Sequence, residues 1–261
     1  MITSTSNQQI KQIIQLQKKA KLRDKERVFI IEGRKMFEEA KDFLKKAYMT
    51  EEFYEEHKKI PFYFDDLDYE IVTDNVMKSM SDTMTPQGVL AIVKMPDYSL
   101  DDIVKKDKVT LLLLENLRDP GNLGTIIRTA EGAGVTGIIM SRESVDIFNP
   151  KVIRSTMGGI FRMPFLYVED FNQTVRYLQE QKVKIYAAHL KGKNNYDEEI
   201  YDEKTGIIIG NEANGITEET AQMADVLVKI PMEGSVESLN AAVASAILMY
   251  EVYRQQRIKN K

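Results

Sequence analysis

Cysteine is absent from the 261 residues, and histidine occurs only as His57 and His189. Without thiols the chain can form no disulfide, and no zinc-ligand or EF-hand spacing is present, so no metal is expected. A histidine-dependent serine triad would have to recruit one of the two histidines, and no G-x-S-x-G turn occurs. No stretch reaches the ~18 consecutive apolar residues of a membrane span. The opening MITSTSNQQIKQ also lacks the apolar core of a secretory signal. The expected location is therefore cytoplasmic, with no membrane partner. Internal repeats and low-complexity segments are likewise lacking.

What is present is enough apolar material for a real core. At 43% hydrophobic residues the composition is that of a globular chain, and 261 residues suggest one large domain or two modest ones. The formal net charge of −4 argues against a protein coated with phosphate-binding groups, but the charge is uneven. Between positions 11 and 35 stand Lys11, Lys18, Lys19, Lys21, Arg23, Lys25, Arg27, Arg34 and Lys35, against Asp24, Glu26 and Glu32, nine minus three or an excess of six. A segregated basic stretch on an acidic protein suits nucleic-acid contact. A solvated helix face is the alternative.

Periodicity divides the chain into two α/β parts. Residues 7–20 place Ile10, Ile13, Ile14 and Leu16 near one helical face, followed by a basic loop and a short strand at 28–31. Glu32-Gly33 opens a second helix running to about Leu44, and further apolar runs at 47–49, 62–64, 70–72 and 89–93 alternate with helical stretches at 51–58 and 74–81. These make a small α/β domain over residues 1–95. The polar segment 96–108 (PDYSLDDIVKKDK) reads as a linker. In the second domain, 109–261, strands are expected at 109–114, 137–140, 164–168, 184–189, 206–209 and 226–230, several of them unbroken apolar runs. Such strands belong in a parallel sheet covered by helices, here at 122–133, 149–156, 170–181, 217–224 and 238–257. Arg254 and Arg257 near the end of the last suit its dipole.

Three turns after apolar runs carry more hydrogen-bonding groups than a turn needs. The first, ENLRDPGNLGTIIRTA at 115–130, has Gly121 and Gly124 in a G-x-x-G order rather than G-x-G-x-x-G, with no acidic residue ending the next strand, which disfavours a dinucleotide site. Asn122 and Arg128 would lie about 240° apart on a continuous helix. With Asn122 as the cap, both border the turn; a surface salt bridge is the alternative for Arg128. In the second, GIIIGNEANGIT at 206–217, Gly210 lets the backbone approach a ligand, Gly215 can take a positive φ, Glu212 could fix an arginine or bind a hydroxyl, and Thr217 resembles an N-cap. The third, PMEGSVESLN at 231–240, precedes an Ala-rich helix and reads either as a ligand-binding helix N-terminus or as a helix simply capped by Ser238. His189, at a strand end, is read as packing or lining a pocket.

Taken together, NLRDPGNLGTIIRTAEGAGV, IIIGNEANGI and IPMEGSVESLNAAVASAILMYE, in that order, resemble the SpoU (TrmH) family of RNA ribose 2′-O-methyltransferases of the SPOUT class. ITSTSNQQIKQIIQLQKKAKLRDKERVFIIEG is similar to the ribosomal-protein-like substrate-binding domain often fused to these enzymes, so the resemblance spans nearly the whole chain. It implies a parallel α/β sheet whose C-terminal part is threaded into a trefoil knot, which periodicity alone would not suggest. It also implies S-adenosylmethionine bound among the knot loops and a homodimer with the site near the subunit interface. By motif position, Gly210, Ile230 and Leu239 would contact the cofactor with Leu190 and Met232 as neighbours. Arg128 would be the catalytic arginine, with Asn122, Glu212, Ser238 and Asn240 as its polar support.

The expected activity is methyl transfer to a ribose 2′-hydroxyl of ribosomal or transfer RNA. The hydroxyl must be oriented and its developing negative charge stabilised, tasks that suit a guanidinium. A non-catalytic RNA-binding protein on the same scaffold is the competing reading, and retention of Arg128, Glu212, Ser238 and Asn240 favours the enzyme. A nucleotide-dependent oxidoreductase is disfavoured by the glycine pattern.

Overall fold

The computed structural model describes residues 1–259, and the chain divides into two compact units, Met1–Asp97 with Asp146–Phe161, and Tyr98–Val145 with Arg162–Lys261. The first opens with α1 (Gln8–Lys18), capped by the Asn7 side chain on the Gln9 amide. The basic stretch expected as a loop is largely a second helix, α2 (Ala20–Glu26), closed by Arg27 in the left-handed conformation (φ 55°). Next come β1 (Val28–Glu32) and α3 (Arg34–Glu39). That helix does not run on to Leu44: a single 3₁₀ turn, Lys41–Phe43, intervenes, and Leu44 opens β2 (Leu44–Thr50). Then follow α4 (Glu51–His57), β3 (Tyr69–Val72), α5 (Asp74–Met80) and β4 (Val89–Lys94). The apolar run at 62–64 forms no strand; Phe62 is exposed, and the Phe64 ring stacks on Tyr54, centroids 5.3 Å apart.

The sheet of this unit has the order β1-β4-β2-β3, antiparallel except for the β2–β3 pair. Ile10, Ile13 and Leu16 of α1 pack with Val28, Ile30, Val72, Val76 and Met77 in one buried cluster, the period-3.6 stripe of the helix meeting the sheet. Arg23, counted above among charges available to nucleic acid, is 5% exposed. Its guanidinium donates to the carbonyls of Leu16 and Gln17 and pairs with Asp146.

The second unit begins inside the stretch expected as a linker. There α6 (Leu100–Val104), capped by Ser99, buries Ile103 and Val104. It continues through β5 (Val109–Leu114), α7 (Pro120–Gly132) and β6 (Gly137–Ser141). The chain then gives α8 (Pro150–Ser155) to the first unit, where Phe148 and Phe161 lie 4.7 and 6.1 Å from the Phe29 ring. It returns through β7 (Phe165–Val168), α9 (Phe171–Glu180), β8 (Lys184–Ala188), the two-residue β9 (Asn194–Asn195), β10 (Lys204–Ile209), α10 (Glu218–Met223), β11 (Val226–Lys229) and α11 (Ala241–Lys259).

The seven strands order as β7-β6-β5-β10-β8-β11-β9, and every pairing is parallel. This is why Val109–Leu114 is buried at every position: Leu111 and Leu113 face the α6/α9 layer, and the alternate residues face the other side of the sheet. Helix α11 packs against α7 and β10.

Candidate active site

Parallel strands end on the same edge, and β5, β10, β8 and β11 are neighbours. Their following turns therefore meet where open α/β sheets bind ligands, at the carboxyl ends of the strands. The turn after β10 is the most constrained. A Cβ on Gly210 would lie 2.1 Å from the carbonyl carbon of Gly215 and 2.2 Å from the Ile216 nitrogen. Gly210 is thus required first by the chain's own backbone folding back on it, not by ligand approach alone. Asn211 and Gly215 exchange backbone hydrogen bonds of 2.9 and 2.8 Å, and Gly215 takes φ +68°, the left-handed value a residue without Cβ adopts freely. Thr217 caps α10 through the Thr220 amide.

Beneath this turn lies a group that sequence reasoning passed over. Glu115, directly after the all-apolar β5, is 6% exposed. Its carboxylate accepts from the Thr217 amide (2.8 Å), the Thr217 hydroxyl (2.8 Å) and the Thr220 hydroxyl (2.7 Å). A carboxylate so placed must be paired or hydrogen-bonded, and here it ties the end of β5 to the start of α10. The signal in sequence was a lone acid extending the run VTLLLL.

The three motif turns are joined by one hydrogen-bonded relay. Glu212 accepts from the backbone amides of Arg118 (3.1 Å) and Asp119 (2.9 Å) and from Asn122 Nδ2 (2.9 Å). It therefore fixes the turn opening α7 rather than an arginine. Asn122 Oδ1 in turn accepts from Asn240 Nδ2 (2.9 Å), and Asn240 Oδ1 accepts from the amides of Ala242 (2.9 Å) and Val243 (3.3 Å). Two expected caps are thereby reassigned. Asp119, not Asn122, caps α7, and Asn240, not Ser238, satisfies the first amides of α11, which begins at Ala241 instead of 238. Burial pushes the Glu212 carboxyl upward, but hydrogen bonds from Asn122 and from the backbone of Asp119, Glu212 and Arg118 outweigh it and hold the group below the usual carboxylate range. An ionised carboxylate only accepts, so it orients the Asn122 amide and, through it, that of Asn240.

Against this relay lies a cavity of about 370 Å³. Leu190, Gly210, Ile230, Met232 and Leu239 all line it, as do Glu212, Ser238 and His189. His189 is held by its backbone amide on Val228 (2.9 Å), while its Nδ1 accepts from the Lys191 amide (3.0 Å). The walls are mainly aliphatic, with polar side chains supplied by His189 and Lys191 after β8, Lys229 at the end of β11, the Asn211–Gly215 turn and Ser238.

Arg128 stands apart from the relay. It lies on the exposed side of α7, its side chain with no hydrogen bond or ion pair to any described residue, so neither the expected polar support nor a surface salt bridge holds it. An unpaired guanidinium keeps all its donors available for a ligand.

A family model described as the SpoU rRNA Methylase family matches residues 109–250, and one described as the MRM3-like substrate binding domain matches residues 7–91. The chain is 34% identical over 256 residues to the 23S rRNA (guanosine(2553)-2′-O)-methyltransferase RlmP of Bacillus subtilis (strain 168), covering 96% of this chain and 98% of that protein. An AdoMet-bound rRNA methyltransferase from Sinorhizobium meliloti superposes with a TM-score of 0.87 at 32% identity, 97% of each chain being covered. A crystal structure of an RNA 2′-O ribose methyltransferase gives a TM-score of 0.83 at 30% identity over 98% of this chain and 99% of that one.

Proposed function

The chain belongs to the SpoU rRNA methylase family, and on that premise we propose that it transfers the methyl group of S-adenosylmethionine to a ribose 2′-hydroxyl of ribosomal RNA. The observation that carries this reading is the Glu212–Asn122–Asn240 relay, which ties three motif turns together beside an apolar cavity. A cavity of about 370 Å³ falls in the range that encloses a nucleoside-sized ligand. Its aliphatic walls of Leu190, Ile230, Met232 and Leu239 suit a purine face, and the turn amides and carbonyls suit its polar edges. The residues present therefore fit S-adenosylmethionine.

When bound, that cofactor supplies a methyl group on a positively charged sulfur, an electrophile for a single displacement. The protein has to present the hydroxyl in line and stabilise the charge growing on its oxygen. Arg128, exposed and unpaired, suits that task. A guanidinium stays protonated near neutral pH, so Arg128 binds the oxygen while the proton leaves to another acceptor. Glu212, engaged with two backbone amides and Asn122, holds the turns in place.

Three further features belong to the same reading. The C-terminal segment forms a trefoil knot, in keeping with turns after β8, β10 and β11 that share one cavity and with α11 returning onto α7. The chain works as a homodimer in the cytoplasm. In support, α11 buries Ala241, Ser245, Leu248 and Val252 on one side while Val243 and Tyr250 are each 48% exposed on another. The first unit, which holds residues 1–95, captures RNA, and the second unit, which holds most of 109–261, is catalytic. The experiment is methyl transfer from isotopically labelled S-adenosylmethionine to ribosomal RNA, with the modified ribose mapped by resistance to alkaline cleavage. Labelling at one 2′-oxygen is expected, and absence of label on RNA stripped of its native modifications would reject the assignment.

A further inference from the structure

Of the polar side chains that line the cavity, two are already spent on the protein itself. Glu212 accepts from three donors. Asn211 donates through Nδ2 to the Asn116 carbonyl (2.8 Å), and its Oδ1 accepts from the Ala213 and Asn214 amides (2.9 and 3.2 Å). His189 is spent everywhere except at one atom. Its amide donates to Val228, its carbonyl accepts from the Gly192 amide (2.9 Å), and its Nδ1 accepts from the Lys191 amide. A backbone N–H can only donate, so Nδ1 presents its lone pair and the neutral ring carries its proton on Nε2. The half-buried ring lines the cavity, and no described residue accepts from that Nε2–H.

Two cations stand on the same side of the cavity. Gly192 lies so close to β11 that a Cβ there would be 2.8 Å from the Val228 carbonyl carbon and 3.0 Å from the Lys229 nitrogen, which presses the turn carrying Lys191 onto the strand that ends in Lys229. Both lysines line the cavity, and neither side chain has a hydrogen bond or ion pair to any described residue. This end therefore offers one Nε2–H and two ammonium groups, donors with no acceptor among them. Leu190 sits between His189 and Lys191 in the chain and Ile230 follows Lys229, so the donors adjoin aliphatic wall. We propose that this end is the subsite for the α-carboxylate of S-adenosylmethionine, and that His189 specifies it. Nε2–H donates to a carboxylate oxygen, Lys191 and Lys229 supply attraction, and the methylenes of the methionine tail lie on Leu190 and Ile230. The inference rests on the S-adenosylmethionine reading and adds the direction in which that cofactor lies. A phosphate of the RNA is the other anion at hand, but a carboxylate on a short apolar arm suits a half-buried donor among aliphatic side chains better than a phosphate flanked by sugars. The imidazole contact dominates, because a hydrogen bond to a charged acceptor in a half-buried place exceeds the ion pairs of flexible, hydrated ammonium groups.

The test is calorimetric binding of S-adenosylmethionine and of decarboxylated S-adenosylmethionine to the full-length chain, with melting temperatures taken without ligand. The wild type should prefer the carboxylate-bearing ligand by about tenfold or more. His189→Asn places an amide oxygen near Nδ1, so it can still accept from the Lys191 amide but has nothing at Nε2. It should keep the wild-type melting temperature and lose most of the preference, binding the decarboxylated ligand unchanged. His189→Gln places its amide group near Nε2 instead, and should keep part of the preference while melting lower. Lys191→Met and Lys229→Met should each weaken S-adenosylmethionine binding only about two- to fivefold, an effect that fades with salt. A histidine that merely holds the turn would reverse the order, with full preference in His189→Asn and loss in His189→Gln, and that result would overturn the proposal. RNA affinity that falls in His189→Asn while cofactor preference stays intact would also overturn it and give the site to a phosphate. Equal wild-type affinity for the two ligands, with ribosomal RNA still methylated, would overturn the subsite and leave the activity standing. Preference that depends on His189 in a chain that methylates no ribosomal RNA would support the subsite while rejecting the activity.

Discussion

Asn240 Nδ2 donates to Asn122 Oδ1 at 2.9 Å across 118 residues of sequence, and both amides are oriented by one carboxylate, Glu212. Asn122→Asp leaves the isostere but turns a donor toward Glu212 into a second carboxylate. Loss of the relay, with partners left unpaired, should cost about 1–3 kcal/mol. By calorimetry this should appear as a roughly ten- to hundredfold loss of S-adenosylmethionine affinity or a matching fall in stability. Unchanged affinity and melting temperature would mean that the turns are held by other contacts.

The same relay has a pH signature. Because the Glu212 pKa is lowered in the folded protein, its contribution is complete above the unfolded carboxyl value of about 4.3 and is lost as pH falls through the lowered folded value. The stability gap between wild type and Glu212→Gln, measured by urea titration, should therefore be widest near neutrality and close on the acid side. A constant gap from neutral pH to about pH 3 would contradict this.

Gly210 offers a sharper steric test. Since a Cβ there meets backbone at 2.1 Å, even Gly210→Ala must displace the Gly215–Ile216 turn, a rearrangement costing about 1–3 kcal/mol. Melting temperature and cofactor affinity should fall together. A folded, fully stable Gly210→Val chain impaired only in cofactor binding would show that the turn yields easily.

Glu115 should matter without touching the cavity. Glu115→Gln places an amide donor among three donors and should lower stability by about 1–3 kcal/mol. Hydrogen exchange should rise across residues 210–220 while β6 and β7 remain protected. Uniform protection in the variant would remove Glu115 as the anchor of that turn.

In the first unit, Arg23→Met leaves the Asp146 carboxylate without its cation. The Asp146 side chain is 32% exposed, so water offsets part of the penalty of breaking the pair from one side and about 1–3 kcal/mol is expected; the melting temperature should drop while Lys18→Met, at an exposed position, changes it little. Equal effects would show that Arg23 is no more structural than its neighbours.

The parallel sheet was legible because fully buried strands such as Val109–Leu114 write an unbroken apolar run, and the Gly215 turn and Thr217 cap were legible because each depends on local backbone chemistry. Features set by distant partners were not. Arg23 looks like any surface cation until Asp146 arrives from beyond β6, and residues 146–161 carry no local mark of packing against β1. Ser238 and Asn240 are both competent caps, and the choice fell to Asn240 because Asn122 holds its other amide group. The basic stretch read as a loop because helix α2 is short and ends at a left-handed Arg27, a conformation that sequence pattern does not announce.

Arg128 carries the central claim, because it is the exposed cation of α7 whose side chain no described residue pairs with, on the helix whose opening turn the Glu212–Asn122–Asn240 relay holds. The deciding measurement is single-turnover methylation of the mapped RNA with S-adenosylmethionine saturating, comparing wild type, Arg128→Ala and Arg128→Lys. Removal of one preorganised charge-stabilising contact should slow transfer by about a hundredfold or more. Lysine should rescue little, because an ammonium cannot reproduce the planar fork, and cofactor affinity should be unchanged in both variants. Methylation by Arg128→Ala at the wild-type rate would contradict the account, leaving Arg128 as a surface residue and the transfer step without its assigned cation.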